Sequence, residues 1–234
     1  MKQKIQIALL LGMLVAGIRL AIIFYQRHEE AVRPNKPESL ALNPDYYVTP
    51  KKLYPYDLKS AKQLTQQPVW VKVGYYYSYY PYDLATHAVD FSHEAGKLLP
   101  IQRLEIRNVI TTASPRVGEK QIMAIFEQAG KEFAVAIGAE RSGDFKFYSD
   151  DMFFIEDPHQ LYRHWPADVW QAIDQHQIKK GMSELQADFA IGVGLSEPGG
   201  DAIDKRLNYP NGGNPLQLTF HSGKVSDIRP GSAE

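Results

Sequence analysis

The N-terminal segment from Ile5 to Tyr25 restricts this chain more than any other part of its sequence. It is apolar over about 20 residues, the length that a helix needs to cross the hydrocarbon core of a bilayer. Only Gln6 and Arg19 interrupt it, and Arg19 lies near the far end, where a long side chain reaches the lipid headgroups. The segment predicts a transmembrane signal-anchor helix within residues 1–26.

A cleaved signal peptide is the alternative interpretation of this segment. Lys2 and Lys4 supply the charged start, Ile7 to Val15 supply the apolar stretch, and Gly17 is a small residue near a cleavage point. Both interpretations bring the remainder of the chain to a membrane or across it. We therefore expect a membrane-anchored protein whose folded part is periplasmic or otherwise extracytoplasmic. Basic residues on both sides of the segment leave its orientation open.

Composition excludes several classes of function. The 234 residues include 26 Lys and Arg against 27 Asp and Glu, so no overall positive field attracts nucleic acid. The absence of cysteine removes disulfides, thiolate metal ligands and cysteine nucleophiles. We expect no nucleic-acid partner, and a chain of this length can form one or two domains.

Prolines and tyrosines dominate the next segment, over residues 27–67. The prolines oppose helices and central strands and predict a semi-rigid linker. Most of the chain's 14 tyrosines lie in this linker or shortly after it. Tyrosine is favoured at protein interfaces, but alternating tyrosine rings also cover the face of a strand. Both interpretations stay open for the interface candidates, which are Tyr75, Tyr77, Tyr79, Tyr80 and Tyr82.

Residues 68–157 alternate apolar or β-branched runs with turn residues, which is typical of antiparallel strands. The runs that predict strands are Val69–Tyr80, Ile101–Val109, Gln121–Phe126, Phe133–Ile137 and Phe145–Phe154. The turns are predicted at residues 128–131 and 142–144. This pattern indicates a β-rich domain that forms a small antiparallel barrel-like module.

The hydrophobic period changes after Asp157. Leu161, Trp165, Trp170 and Ile173 recur at helical spacing. A second helix is predicted to begin at an N-cap serine with a capping box, and three short apolar runs follow it as strands. Residues 158–230 thus predict two helices followed by a three-stranded sheet, and the whole chain predicts the α+β fold class.

The segments of this C-terminal region occur in a characteristic order. They are Val169–Ile173, Gly181-Met182-Ser183, Leu185-Gln186, Ile191-Gly192, Leu207-Asn208-Tyr209, Leu216–Phe220 and Gly223-Lys224-Val225. In this order they resemble the BamE/SmpA-like domain, over roughly residues 165–230. The resemblance implies two helices packed on a three-stranded sheet and an accessory role in outer-membrane protein assembly.

Potential metal ligands are densest at His87, Asp90, His93 and Glu94, because imidazole and carboxylate groups bind zinc or iron. Their spacing does not define a ligand geometry, and solvated side chains in a polar loop explain them equally. No nucleophile elbow, phosphate loop or calcium loop occurs in the sequence.

The favoured hypothesis is therefore a non-enzymatic, membrane-anchored accessory or scaffold protein without a cofactor, which binds envelope or membrane-complex proteins. The alternative is an envelope metal- or ligand-binding enzyme that uses the His87–Glu94 segment, with His87, Asp90 and His93 as metal candidates and the adjoining tyrosines lining a pocket.

Overall fold

The computed structural model describes residues 17–21, 43–115, 118–196 and 205–231. The chain divides into two compact units, Met1–Asn43 and Pro44–Glu234. In the first unit, residues 17–21 form the helix α1, whose side chains are exposed. The rest of the predicted anchor lies outside the described residues. Within the described ranges, no helix combines the length and the apolar character needed to cross a bilayer.

The second unit is built mainly of strands. Its helices are α2 (Leu58–Ala61), α3 (Ser149–Met152), α4 (Pro158–Leu161), α5 (Ala167–Asp174) and α6 (Glu184–Ile191), with 3-10 turns at Pro44–Tyr47, Lys62–Gln66 and Asn211–Gly213. Its strands are β1 (Val69–Val71), β2 (Ser78–Asp83), β3 (Ala88–Val89), β4 (Gly96–Lys97), β5 (Arg103–Leu104), β6 (Ile106–Ala113), β7 (Lys120–Gln128), β8 (Lys131–Arg141), β9 (Asp144–Phe147), β10 (Phe153–Phe154), β11 (Leu195–Ser196), β12 (Arg206–Tyr209), β13 (Leu216–His221) and β14 (Lys224–Pro230). The paired strands of the described residues run antiparallel, which confirms a mixed fold with several antiparallel sheets.

The largest sheet has seven strands in the order β3-β2-β8-β7-β6, with β4 beside β2 and β9 beside β8. Its interior strand β7, between β8 and β6, is buried on both faces. Ile122, Ala124 and Phe126 enter the main core of the β-rich region, here called the β core. Met123 and Ile125 enter a smaller cluster. Since successive strand residues point to opposite faces, the continuous apolar run of β7 reflects a sheet that is covered on both sides.

Two hairpin turns lie where the sequence predicts them. Between β7 and β8, Ala129 and Gly130 have φ values of 50° and 76°. Between β8 and β9, Ser142 and Gly143 have φ values of 53° and 90°. Positive φ at both central residues matches the right-handed twist of the flanking strands, which is why short hairpins favour this geometry.

Three runs predicted as single strands are divided in the structure. The run from Ile101 to Val109 contains β5 and the first part of β6, which belong to different sheets. The run from Val69 to Tyr80 contains β1 and β2, which belong to different sheets, and Tyr75 between them has a φ of 59° that interrupts the extended backbone. The run from Phe145 to Phe154 contains β9, the helical turn α3 and β10. These predictions were wrong because apolar composition marks burial but does not select the pairing partner of a strand.

A three-stranded sheet, ordered β10-β1-β5, separates two hydrophobic cores. Val69, Val71 and Phe153 belong to the β core. Trp70 and Phe154 pack with the C-terminal helices in a second core, here called the helix core. The alternation of side chains along β1 and β10 therefore makes this sheet a wall that both cores share.

The helix core lies between α5, α6 and a sheet of order β11-β12-β13-β14. Helix α6 begins at Ser183 with the predicted capping box: the Ser183 hydroxyl accepts from the Gln186 backbone N–H at 3.3 Å, and the Gln186 side chain accepts from the Ser183 N–H at 2.8 Å. Aromatic side chains buried in this core include Trp165, Trp170, Phe189, Tyr209 and Phe220.

Candidate functional site

The interface candidates on strand β2 are divided between the two faces of the large sheet. Tyr79 packs against the β core, together with Tyr77 just before the strand, whereas Tyr80 and Tyr82 pack against the smaller cluster. All four are half-buried. Tyr79 lies on one face and Tyr80 and Tyr82 lie on the other because successive residues of a strand point to opposite faces. The four rings cover the sheet and keep part of their surface exposed.

Tyr75 has a different role from the other candidates. A Cβ atom added to Gly212 would lie 2.6 Å from its ring, and one added to Gly192 would lie 3.2 Å from it. The Tyr75 backbone N–H donates to the Leu98 carbonyl at 2.7 Å. The Tyr75 ring therefore packs between two glycines of the C-terminal region, where any side chain would collide with it.

An open cleft of about 600 Å³, here called the tyrosine cleft, has an aromatic lining of Tyr76, Tyr77, Tyr80, Phe91 and Tyr148. The Tyr76 and Tyr77 rings meet edge to face, with centroids 5.0 Å apart and an interplanar angle of 82°. The Tyr80 and Phe91 rings are 5.3 Å apart at 61°. The other lining residues are Ser78, Pro115, Gln121, Val135, Ala136 and Asp151. Apolar walls with a few polar groups are the usual constitution of a binding site.

The helical turn α3 places Asp151 at the cleft. The Asp151 backbone N–H donates to the Tyr148 carbonyl at 3.0 Å, which closes the turn. The neighbouring Asp150 carboxylate accepts from the backbone N–H groups of Leu53 and Tyr54, at 2.9 and 2.8 Å. The Asp151 side chain is exposed, and its carboxylate makes no hydrogen bond or ion pair with the described residues.

Electrostatics in the cleft disfavour added negative charge. Burial, together with smaller contributions from the neighbouring Tyr76, Asp151 and Tyr148, raises the pKa of Tyr77 to about 12. Tyr77 is therefore a neutral phenol at physiological pH. An anionic group buried beside it would meet the same desolvation and the same negative charge of Asp151 that raise the pKa of Tyr77.

Part of the predicted linker is held against the folded core. The Asp45 carboxylate accepts from the Trp165 indole N–H at 2.7 Å and lies 2.6 Å from the His164 Nε2 atom. Lys51 forms an ion pair with Glu156 at 2.9 Å. Together with the hydrogen bonds to Asp150, these contacts fix the path of the chain before β1 in spite of its proline content.

This fixed segment presents four exposed tyrosines. Tyr46, Tyr47, Tyr54 and Tyr56 are 79%, 69%, 73% and 76% exposed. The Tyr54 backbone N–H donates to Asp150 in the turn α3, and the same turn supplies Asp151 to the cleft. The exposed tyrosines therefore extend as far as this turn. Large exposed rings on an anchored backbone provide contact area at a small entropy cost.

The metal candidates lie in the β2–β3 hairpin and in the loop after it. Asp90 and His93 come together, with 2.8 Å between Oδ2 and Nδ1, but His87 instead lies 3.2 Å from the Tyr82 hydroxyl. In the described ranges, no group of three or more His, Asp or Glu side chains is arranged to hold a metal ion. The same loop supplies Phe91 to the tyrosine cleft.

His159 and His176 in the helical region are packing and hydrogen-bonding groups. The His159 ring stacks on Trp170 with centroids 4.0 Å apart and bonds to both Asp157 and Asp174 at 3.1 Å. The His176 Nδ1 atom lies 3.1 Å from the Ala190 carbonyl oxygen.

Four aromatic or charged residues of the cleft are not among the candidates that the sequence analysis gave: Tyr76, Phe91, Tyr148 and Asp151. The β2–β3 hairpin brings Phe91 to Tyr80, and the pairing of β2 with β8 and of β8 with β9 brings Tyr148 and Asp151 to the tyrosines. The sequence around Phe91, Tyr148 and Asp151 carries no pattern that indicates a shared site. In the sequence, the acidic pair at residues 150–151 is most simply interpreted as the solvated end of a strand.

The chain matches no protein family, no curated protein and no solved structure.

Proposed function

We propose that this protein is a membrane-anchored accessory or scaffold protein of the cell envelope, which binds a partner protein through the tyrosine cleft. The observation that carries the proposal is the cleft itself, which is lined by aromatic rings and by the Asp151 carboxylate, a group without an ion pair among the described residues. Tyrosine is enriched at the centres of protein interfaces, where its ring is desolvated and its hydroxyl forms hydrogen bonds.

The exposed tyrosines before β1 support the same function. The Tyr54 N–H is bonded to Asp150 of α3, and the Tyr56 N–H is bonded to the Ser60 hydroxyl of α2. Tyr46 and Tyr47 follow Asp45, which is bonded to Trp165. A partner seated in the cleft could extend onto this segment without ordering it first. That pre-organisation lowers the entropic cost of association.

The membrane part of the proposal depends on the apolar segment from Ile5 to Tyr25, which has the length and composition of an anchor. We infer that this anchor holds the folded part on the extracytoplasmic side of the membrane. The order of α5, α6 and strands β12, β13 and β14 supports the resemblance to BamE/SmpA-like accessory domains. The antiparallel sheet around the β core supports a barrel-like module before it.

Purification of the tagged full-length protein in mild detergent, with quantitative mass spectrometry of co-purifying proteins, tests this function. The informative variant is Tyr76→Ser, because Tyr76 lines the cleft and is 72% exposed, so the fold tolerates the change. Leu84→Ser is the matched control, since Leu84 is also exposed but does not line the cleft. We expect a stoichiometric partner that Tyr76→Ser loses and Leu84→Ser retains.

A partner that both variants retain would contradict binding through the cleft. Elemental analysis of the same samples tests the alternative function. Stoichiometric zinc or iron that disappears when His87 and His93 are replaced would favour a metal-binding enzyme and would overturn the accessory function as the main account.

A further inference from the structure

The lining of the tyrosine cleft contains one charged side chain, Asp151, among the described residues. Ring faces carry the negative part of the aromatic quadrupole and attract cations. The paired rings Tyr76 and Tyr77 stand nearly perpendicular to each other, so a group in the cleft can meet the face of one ring beside the edge of another.

We propose that the tyrosine cleft binds a positively charged side chain, lysine or arginine, of the partner protein, with Asp151 as its counter-ion. This inference rests on the proposed accessory function and names the chemistry that the partner brings to the site. A cation between aromatic rings and a carboxylate gains from both the ring faces and the opposite charge.

The charge of Asp151 is available to such a ligand. Lys72 interacts electrostatically with Asp151, but it directs its ammonium group to the Asp150 carbonyl oxygen and lies 4.9 Å from the centroid of the Phe154 ring. Lys72 forms no ion pair with Asp151 within the described residues. Asp151 therefore keeps an exposed carboxylate that a second cation can approach.

The size of the cleft indicates that the ligand is more than a free amine. A volume of about 600 Å³ holds a lysine or arginine side chain together with adjoining peptide. Ser78 and Gln121 lie in the lining, and their side chains can donate to or accept from a peptide backbone. A segment of a partner protein meets both requirements.

The test uses the full-length protein in mild detergent with ¹³C-labelled tyrosine, titrated with acetyl-Gly-Lys-Gly-amide and with its arginine, norleucine and glutamate counterparts. We expect the lysine and arginine peptides to shift the ring signals of Tyr76 and Tyr77, and the norleucine peptide to bind about tenfold more weakly. The glutamate peptide should not bind.

Asp151→Asn is expected to weaken binding of the cationic peptides about tenfold. The matched control is Asp168→Asn, which removes the same charge from an exposed site on α5, where the side chain is 68% exposed. Asp151 is itself exposed, so the asparagine variant keeps the fold, and its dispersed tyrosine signals verify this.

Equal binding of the norleucine and lysine peptides would overturn cation recognition, and so would cationic binding that Asp151→Asn leaves unchanged. Neither result would affect the accessory function, which depends on loss of the partner in Tyr76→Ser. If instead no partner co-purifies but the charged peptides bind as described, the accessory function fails and the cation site stands.

Discussion

Trp70 and Phe154 lie directly opposite each other on the antiparallel strands β1 and β10, and both side chains enter the helix core. The adjacent pair, Val71 and Phe153, enters the β core on the other face of the same sheet. Since the two cores share this wall, loss of the sheet exposes apolar surface on both sides. The β-rich region and the C-terminal region should therefore unfold together.

Replacement of Phe154 by alanine tests this coupling. Phe154 is 4% exposed and packs against Phe189 and Tyr162, so we expect a loss of about 3–5 kcal/mol in the free energy of unfolding. Urea unfolding is followed by tryptophan fluorescence, which reports the helix core, and by far-UV circular dichroism, which reports the strands. We expect the fluorescence and circular dichroism transitions to coincide, both in the wild type and in the Phe154→Ala variant. Transitions that separate, with the strands unaffected by the substitution, would show that the two cores are independent.

Asp188 should make stability depend on pH. Burial, with the charge of Glu184, raises the pKa of its carboxyl; the hydrogen bonds from Tyr209 and Gly194 and the charge of Lys205 lower it; and the net result is a rise from 3.8 to about 6. The folded protein therefore binds this proton more tightly than the unfolded chain does. The resulting stabilisation is complete below about pH 4 and is lost as the pH rises through about 6.

The Asp188→Asn variant isolates that contribution. Its amide oxygen still accepts from the Tyr209 hydroxyl, which lies 3.0 Å from Oδ1, but it carries no titrating proton. We expect the stability of the wild type relative to this variant to fall by about 2 kcal/mol between pH 4 and pH 7. Denaturant unfolding across this pH range measures the difference, and a constant difference would contradict the raised pKa.

Asp150 should control access to the segment before β1. Removal of its carboxylate in Asp150→Ala leaves the N–H groups of Leu53 and Tyr54 without their acceptor. Trypsin should then cleave after Lys51 or Lys52 about tenfold faster, since the segment opens more often. Asp151→Ala is the matched control on the same turn, because its carboxylate does not bind the segment. Equal rates for the two variants would exclude this role of Asp150.

Gly192 should be intolerant of any side chain. It ends α6 with φ 83° and ψ −179°, a conformation that is essentially restricted to glycine, and an added Cβ would lie 2.9 Å from the Gly74 carbonyl oxygen. Gly130 also has a positive φ, of 76°, but an added Cβ there meets nothing within 4 Å. We expect Gly130→Ala to cost about 1 kcal/mol and Gly192→Ala about 2 kcal/mol or more. Thermal unfolding of both variants compares their losses of stability. Equal losses would show that the contact with the Gly74 carbonyl oxygen adds no cost.

Sequence patterns predicted the local features of the fold well. The turns at Ala129-Gly130 and Ser142-Gly143 and the capping box of Ser183 all depend on backbone geometry and hydrogen bonds within a few residues. The strand run that begins at Val69 was predicted less well. Its division between two sheets depends on which distant strand each part pairs with, and that choice is not encoded in the local period.

The sequence by itself determined the apolar N-terminal segment, the strand-rich class with antiparallel hairpins, the capped C-terminal helix and the concentration of tyrosines. Only the tertiary structure decided that Tyr77 and Tyr80 share a cleft with Phe91, Tyr148 and Asp151. The physical reason is distance along the chain. Local signals arise from contacts between near neighbours, whereas this cleft forms where strand pairing and the α3 turn bring together side chains that no local interaction connects.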